Sequence, residues 1–340
     1  MAKDLKSILD SLKKQGMNTL IVGDNQPEVP RLPSGSIGLD RILGGGYPMG
    51  RMTELYGDPS SGKSLMAYLA IKEVQKNGGV AALIDAENSF TRDWALNLGI
   101  DPNQLLVSGT VDGSPRSGES FLEDVIKFIE AEVDLVVVDS ISALTPQSQI
   151  DKGLEEGSAI AEQARMLSLG LRKVNAALGA KNKTALIWIN QVRSNPGVMF
   201  GNPNQSTGGK ALTFYDAIKV YVYKRTGAEF TYYKDPKNKD EGLAGQRVKV
   251  TTEKNKLYRP KMSCEFDVYF DIGPENLSVG VDTASELLTE CLKANIIQHP
   301  NNVIYEYNGQ KYKGKLEITK AIKEDENLQK ELLGALNVSN

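Results

Sequence analysis

Residues 52–77 read MTELYGDPSSGKSLMAYLAIKEVQKN, an apolar run, a turn rich in Gly and Ser, and a second apolar-patterned run. MTELYG has strand character, and the apolar spacing after it predicts a helix over about 63–77. Between the two, Gly57, Asp58, Pro59, Ser60, Ser61, Gly62, Lys63 and Ser64 match GxxxxGK[ST]. Glycines in such a loop let the backbone turn so that its N–H groups face phosphate oxygens. The helix that follows adds partial positive charge at its N-terminus. Lys63 is then placed to reach the β- and γ-phosphates, and the Ser64 hydroxyl to ligate Mg²⁺. A strand before the motif and a helix after it are the context this chemistry requires. The stretch predicts a nucleoside-triphosphatase.

The segments on either side fit that prediction. Short Val/Ile/Leu-rich runs at VAALIDAE (80–87), VDLVVVDS (133–140) and TALIWINQ (184–191) alternate with helical patterns near 91–98, 119–131 and 158–179. Apolar runs spaced by helices read as parallel strands buried on both faces. The expected fold class is α/β, a mostly parallel twisted sheet flanked by helices. AIKVYVYKRT (217–226), QRVKVTTEKN (246–255) and CEFDVYFD (264–271) have strand character with little helix between them and extend the sheet as hairpins. Upstream, residues 1–16 suggest an amphipathic helix through Leu5, Ile8, Leu9 and Leu12. MNTLIVG (17–23) alternates towards a strand, and DNQPEVPRLPSG (24–35) is a Pro-rich connector. Beyond Gly273 the texture shifts to a helix, a hairpin around Asn308-Gly309 and a helical stretch from Ile318. The expected domains are an arm with linker at 1–33, an ATPase core at 34–273 and a small C-terminal α/β domain at 274–340.

Composition narrows the class. Apolar residues make up 40% and charged residues 24% of 340, an ordinary globular balance. A chain this long exceeds the ~250–300 residues at which single cores stop growing, so a main domain with a smaller companion is expected. No run of about 18 apolar residues predicts a membrane span, and the N-terminus has no apolar signal core. Two cysteines, Cys264 and Cys291, and one histidine, His299, cannot build a zinc cluster or a disulfide framework. They suit a reducing, cytoplasmic setting. A net charge of −3 argues against nucleic-acid binding over the whole surface, so any such binding must lie in local sites.

The strand ends supply candidates to accompany the phosphate loop. Mg²⁺ near a triphosphate needs a carboxylate, and Asp139 ends LVVVDS. An Asp capping the next helix would look the same. Glu87 ends AALIDAE, where it can orient and activate water as a general base, or simply sit at the surface. Gln191 ends TALIWINQ, where an amide can sense the γ-phosphate. Directly after it, residues 190–210, NQVRSNPGVMFGNPNQSTGGK, are rich in Gly, Pro, Asn and Ser around Val198, Met199 and Phe200. Structureless loops beyond ~15 residues are uncommon in compact domains unless functional or disordered, and disorder alone does not favour an apolar cluster.

Taken together, SGSIGLDRILGGGYPMGRMTELYGDPSSGKS, IDAEN, VVVDSISALTP, INQVR, GVMFGNP, TGGKALTFY and KNKLYRP resemble the bacterial-type RecA recombinases, in the family's order and over nearly the whole chain. Phage-encoded relatives share the pattern. The resemblance implies a RecA-like P-loop core and an ATP-dependent filament on single-stranded DNA. Such a filament pairs with homologous duplex and exchanges strands in recombination, DNA repair and the SOS damage response. It implies ATP and Mg²⁺ held by Lys63, Ser64 and Asp139, with Glu87 as catalytic base and Gln191 as γ-phosphate sensor. Thr91 and Trp94 fall where the family contacts adenine. Trp departs from the family's residue type there, though its flat face still stacks; a core helix residue is the other reading.

Lys254 and Lys256 match a pair that reaches the neighbouring subunit's ATP, and Phe214 matches an interface aromatic. Without the family these would read as a solvated strand face and a core residue. Two DNA loops are implied, at about 150–160 and 192–208. The first, IDKGLEEGSAI, is acidic and poor for phosphate; Arg165 and Arg172 on the following helix match positions near DNA, or form an ordinary solvated face. In the second, Arg193, Gly208, Gly209 and Lys210 would contact backbone, and Val198, Met199 and Phe200 would wedge between bases. Lys311, Lys313, Lys315, Lys320 and Lys323 would form a basic patch for incoming duplex, or an ordinary mixed surface with the neighbouring acids. The chain ends at LNVSN without a long acidic tail, so autoinhibition by one is not expected. Further implied partners are a single-stranded-DNA-binding protein and loading mediators, in a bacterial or infected-host cytoplasm. Two alternatives remain: another RecA-core machine, such as a hexameric helicase or KaiC-like ATPase, and an ATP-switched DNA-coating protein.

Overall fold

The computed structural model describes residues 4–25, 27–110, 114–152, 159–194, 204–206, 210–235, 237–271 and 279–336, and every count below is of these. The chain falls into two compact units, Met1–Pro30 and Arg31–Asn340.

In the first unit, α1 (Leu5–Lys14) starts at Asp4, whose carboxylate accepts the Lys6 and Ser7 N–H groups at 3.2 Å each. Lys13 and Lys14 in the last turn complement the helix dipole. The apolar stripe expected from the sequence is present, and none of its residues is buried. The strand expected over 17–23 is not there. Leu20 N–H bonds back to the Met17 carbonyl at 3.3 Å, and Gly23–Asn25 is a single 3₁₀ turn. The reason is pairing: alternation alone makes no strand where the unit offers no second strand to bond its backbone.

The second unit opens with β1 (Arg31–Leu32) and β2 (Tyr47–Pro48), a short antiparallel pair enclosing α2 (Ile37–Leu43). Then β3 (Arg51–Gly57), α3 (Lys63–Lys76), β4 (Ala81–Asp85), α4 (Arg92–Leu98), β5 (Leu105–Ser108), α5 (Gly118–Glu130) and β6 (Leu135–Asp139) follow. After a single turn, α6 (Gln147–Ile150), come α7 (Ala159–Lys181) and β7 (Ala185–Ser194). β8 (Asn204–Ser206) turns back on β7, and α8 (Lys210–Tyr215) leads into β9 (Ile218–Lys224). β10 (Thr231–Asp235), β11 (Asn238–Asn255), β12 (Ser263–Tyr269) and β13 (Gly280–Val281) complete the sheet.

Its order is β13-β12-β11-β9-β3-β7-β6-β4-β5, with β10 on β11 and β8 on β7. From β9 to β5 every pair is parallel. β11, β12 and β13 add antiparallel strands at the other side. The fold is the expected mostly parallel α/β sheet.

Alternate residues of each central strand feed opposite faces. Leu135 and Val137 of β6 join Leu83, Ile187 and Val220 under Met66, Leu69 and Ile71 of α3. Val136 and Val138 join Ile84, Leu186 and Trp188 under α5 and α7, through Phe121, Val125, Leu167 and Leu171. The parallel strands therefore all end on one edge of the sheet, which is where open α/β folds gather their polar site residues.

The C-terminal part has a core of its own. α9 (Thr283–Lys293), the hairpin β14–β15 (Ile304–Tyr307, Gln310–Lys313), α10 (Lys315–Glu324) and α11 (Glu326–Ala335) bury Leu287, Leu288, Tyr305, Ile318, Ile322 and Leu332. The hairpin turns at Asn308 and Gly309, both at positive φ as a tight two-residue turn requires. The expected continuous helix over this end is two helices. Asp325 stops the first and caps the second, accepting the Asn327 and Leu328 N–H groups. α9 docks on α2 through Glu286, which accepts Ser36 Oγ at 2.6 Å, Gly38 N at 2.8 Å and Ile37 N at 3.0 Å. The expected boundary near residue 273 falls outside the described residues. Cys264 and Cys291 are buried free thiols.

Candidate active site and subunit-facing residues

The phosphate loop connects the end of β3 to the start of α3. Gly57 lies beside Val222 of β9, and a Cβ there would sit 1.9 Å from the Val222 carbonyl oxygen. Only glycine lets the loop leave the sheet so close to its neighbour. Gly62 enters α3 at φ +97°, in the left-handed region that favours glycine. Lys63 is 7% exposed and donates to the carbonyls of Gly57 and Asp58 at 3.0 and 2.7 Å. Burial pushes its pKa down, and Asp139, Asp58 and Glu87 pull it up. The Ser61 hydroxyl is buried in the loop without a protein partner, and the Gln246 amide of β11 donates to the Ser60 carbonyl at 3.0 Å.

Asp139 ends β6 in register with Asp85 of β4 and is bonded to Ser64. Burial pushes its carboxyl up to about 6; Glu87 and Asp85 add to the rise, while Ser64 and Lys63 oppose it. A serine hydroxyl beside a carboxylate is an all-oxygen donor pair suited to a hard cation such as Mg²⁺. Among the described residues no cluster of three or more His, Cys, Asp or Glu could hold a metal without further donors. Phosphate oxygens and water would have to complete the shell.

Glu87 follows β4 at the same sheet edge. The N–H groups of Ala86 and Glu87 donate to the Asp139 carbonyl at 2.9 and 3.3 Å. Asp85 fixes the turn behind them by accepting Ser89 N at 2.9 Å and Phe90 N at 3.0 Å. The Glu87 side chain is exposed, but its Oε1 is held from two sides. Ser140 Oγ donates to it, and Gln191 Nε2 donates at 3.3 Å. Ser142 Oγ lies 2.6 Å from Ser140 Oγ. A cavity of about 480 Å³ adjoins the phosphate loop, walled by Trp94, Phe270, Leu243 and Lys224. Trp94 is half-buried, packed against the core and lining this cavity. Thr91 is the exposed N-cap position of α4, with no capping bond from its side chain.

β7 continues past Gln191, and β8 pairs with the continuation: Val192 with Ser206, Arg193 with Gln205 and Ser194 with Asn204. This ribbon ties both ends of the second loop to the strand that carries Gln191. Val198, Met199, Phe200, Gly208 and Gly209 lie outside the described residues, as do 153–158 of the first loop. Of Arg193 and Lys210 the structure describes the backbone, in β7 and α8. Arg165 and Arg172 are exposed on α7 with Leu169, 53% exposed, on the same face.

Phe214, 71% exposed, projects from α8. Lys256 donates to its carbonyl at 3.1 Å. Lys254 donates to the Asp216 carbonyl at 2.7 Å and to the Asp216 carboxylate. The three residues expected at a subunit interface therefore meet at one place, the end of α8.

A sequence profile of the RecA N-terminal domain matches residues 2–275. Protein RecA of Chlorobaculum tepidum is 37% identical over 334 residues, spanning 96% of this chain and 90% of the relative. Protein RecA of Bacteroides thetaiotaomicron is 36% identical over 340 residues, spanning 98% and 96%. The chain belongs to the RecA family. Among solved structures, the RadB recombinase superposes with a TM-score of 0.50 at 19% identity, covering 70% of this chain and 96% of that one, which is a likeness of fold. As a RecA-family protein this chain is an ATP-dependent recombinase with DNA-dependent ATPase activity; the helicase, KaiC-like and coating-protein readings are not favoured. Nucleotide binding, DNA binding and filament formation come with the family. No described helix is long and apolar enough to cross a membrane.

Several residues of this RecA-family site were not foreseen. Ser140 on Glu87 is one, and its only sequence signal is its place after the strand-ending Asp139. Gln246 of β11 and Phe270, just after β12, lie far along the chain, where no local pattern links them to the phosphate loop. Behind Gln191, Asn190 donates to Glu54 at 2.8 Å, and Lys219 pairs with Glu54 at 3.2 Å, all within the sheet.

Proposed function

We propose that the site binds ATP with Mg²⁺ and hydrolyses it within a filament on single-stranded DNA, which pairs with homologous duplex and exchanges strands. One observation carries this reading: Lys63, the Ser64–Asp139 pair and the Glu87–Gln191 pair converge at one sheet edge from four different strands and loops. Lys63 exchanges its two carbonyl partners for phosphate oxygens, since charge-assisted bonds are the stronger. Backbone N–H groups of Gly57, Asp58, Ser60, Ser61 and Gly62 face the phosphates, with Pro59 shaping the turn. Ser64 and Asp139 would hold Mg²⁺, which neutralises charge on the phosphate oxygens. Glu87 accepts a proton from the attacking water, and Ser140 and Gln191 aim its carboxylate. Trp94 and Phe270 flank the base, with Thr91 beside it. Lys254 and Lys256 act on the ATP of a neighbouring copy, where extra cations stabilise charge in transfer, and Phe214 packs across that interface.

The ribbon of β7 and β8 joins the γ-phosphate sensor to the loop that would carry Val198, Met199 and Phe200 between bases, with Arg193, Gly208, Gly209 and Lys210 on the backbone. Arg165 and Arg172 contact the same DNA from α7. Residues 1–33 serve as the polymerisation arm, 34–273 as the ATPase core and 274–340 as a small accessory domain. A single-stranded-DNA-binding protein and loading mediators are the accessory partners, and the cytoplasm is the place of action.

The test is ATP hydrolysis with and without single-stranded DNA, alongside electron microscopy of the protein on that DNA. Stimulation by DNA, helical filaments, and a loss of at least about 100-fold in Lys63→Ala are expected. Hydrolysis indifferent to DNA, or turnover retained in Lys63→Ala, overturns the reading.

A further inference from the structure

Lys254 is the residue proposed above to act on the neighbour's triphosphate, yet its ammonium is already engaged. A lysine has three N–H donors, and here they meet the Thr213 carbonyl, the Asp216 carbonyl and the Asp216 carboxylate. Asp216 is fully buried, and its second carboxylate oxygen has no hydrogen-bond partner. Lys254 is thus the counter-charge bonded to a buried anion.

The position of Lys254 comes from a break in strand register. β11 pairs with β9 as Thr252 with Val220, then Lys254 with Lys219, so Glu253 is an extra residue. Without that bulge Glu253 would stand opposite Lys219. Lys219 in turn stands opposite Glu54 of β3 and pairs with it at 3.2 Å. The charges alternate from β3 through β9 and the turn before it to β11: Glu54, Lys219, Asp216, Lys254. Both Lys219 and Lys254 lower the Asp216 pKa, against burial, which raises it more. If Lys254 leaves, Asp216 keeps Lys219 and Lys256 as through-space counter-charges but loses its bonded one, and a buried charge without its bonded partner is costly.

We propose that Asp216 is a positioning residue that holds Lys254 in reserve at the end of α8, so that a neighbouring protomer's triphosphate must compete with a buried carboxylate for it. The inference rests on the trans-acting role of Lys254. Asp216 touches neither substrate nor DNA; it sets the nucleotide concentration at which assembled protomers begin to turn over. The same exchange strips the Thr213 carbonyl of α8 and the Asp216 carbonyl just after it of their cap. Phe214 lies between them, with its own carbonyl held by Lys256.

Three measurements on the full chain test this. With Asp216→Asn, which keeps the shape and removes the charge, the half-saturating ATP concentration for DNA-stimulated hydrolysis falls about three- to tenfold, the difference between a charge-assisted and a neutral bond. The maximal rate stays within about twofold, on the same ground that only the reserve contact is weakened. An unchanged or raised half-saturating concentration overturns the proposal. In the unsubstituted protein without nucleotide or DNA, Lys254 reacts more slowly than Lys256 with an amine-reactive reagent, read by mass spectrometry; equal reactivity overturns it whether or not the variant folds. Lys254→Ala separates the premises. If that variant keeps DNA-stimulated hydrolysis, the trans-acting role is wrong; if it loses hydrolysis while Asp216→Asn is silent, only the reserve is wrong.

Discussion

Ser140 shows how much of this site is set by single hydrogen bonds. Glu87 is exposed, and an exposed carboxylate on a turn has several rotamers to choose from. Ser140 Oγ and Gln191 Nε2 both reach the same oxygen, Oε1, which leaves the other free to accept a proton. Ser142 in turn supports Ser140 at 2.6 Å. Removing the hydroxyl leaves the general base in place but loosely aimed, and small misplacements of a reacting group cost up to ~100-fold. In Ser140→Ala we therefore expect kcat for DNA-stimulated hydrolysis to fall about 10- to 100-fold, with nucleotide affinity unchanged. An equal loss of affinity would instead make Ser140 part of the binding surface. Glu87, Asp139 and Lys63 were legible in the sequence because each sits at a strand end or in a contiguous motif. Ser140 was not, since nothing local ties it to Glu87, and neither was the Glu54–Lys219 pair, a buried polar contact between strands 165 residues apart.

At the scale of elements, the docking of α9 on α2 rests on an unusual cap. Ser36 is the N-cap of α2, and its hydroxyl accepts Leu39 N at 3.1 Å while donating to Glu286. Glu286 then takes the N–H groups of Ile37 and Gly38, orphan donors of the first turn. Burial pushes the Glu286 carboxyl up to about 7, against the pull of Ser36, Gly38 and Ile37. Asp40, half-buried and also pushed up to about 7, adds to the rise. The sign of the pH effect follows. Between the ordinary 4.5 and about 7 the folded chain binds more protons than the unfolded chain, so stability falls as pH rises through that window. The urea midpoint should drop from pH 5 to pH 8, and Glu286→Gln, which cannot titrate, should flatten part of that slope. A slope identical in both proteins would remove Glu286 as its source.

Elements of this kind also show what the sequence carried. The β–α alternation from β3 to β7 was legible because burial on both faces writes apolar runs into each strand. The split between α10 and α11 was not, since Asp325 is both the stop of one helix and the cap of the next. The edge strand β5, with Leu106 and Val107 exposed, gave no usable apolar run.

For the whole molecule, the question is how a site that needs a neighbour is kept from working alone. Lys254, Lys256 and Phe214 sit together at the end of α8, while Lys63, Asp139 and Glu87 gather at the strand ends, so turnover in the proposed scheme waits on assembly. The arm is the natural agent of assembly. α1 has an apolar stripe through Leu5 and Ile8, exposed at 63% and 41%, and no buried residue. An amphipathic helix of ten residues is marginal in water without a surface to pack on. Residues 31–340 form a compact unit without it. Deleting residues 1–30 should therefore leave the thermal midpoint and single-protomer nucleotide binding unchanged. Filaments on single-stranded DNA should be lost, and DNA-stimulated hydrolysis with them. Each alternative has its own signature in the same experiment. If filaments persist without the arm, another surface drives assembly. If filaments are lost and DNA-stimulated hydrolysis survives, the lysines at the end of α8 act within their own protomer, and turnover needs no neighbour.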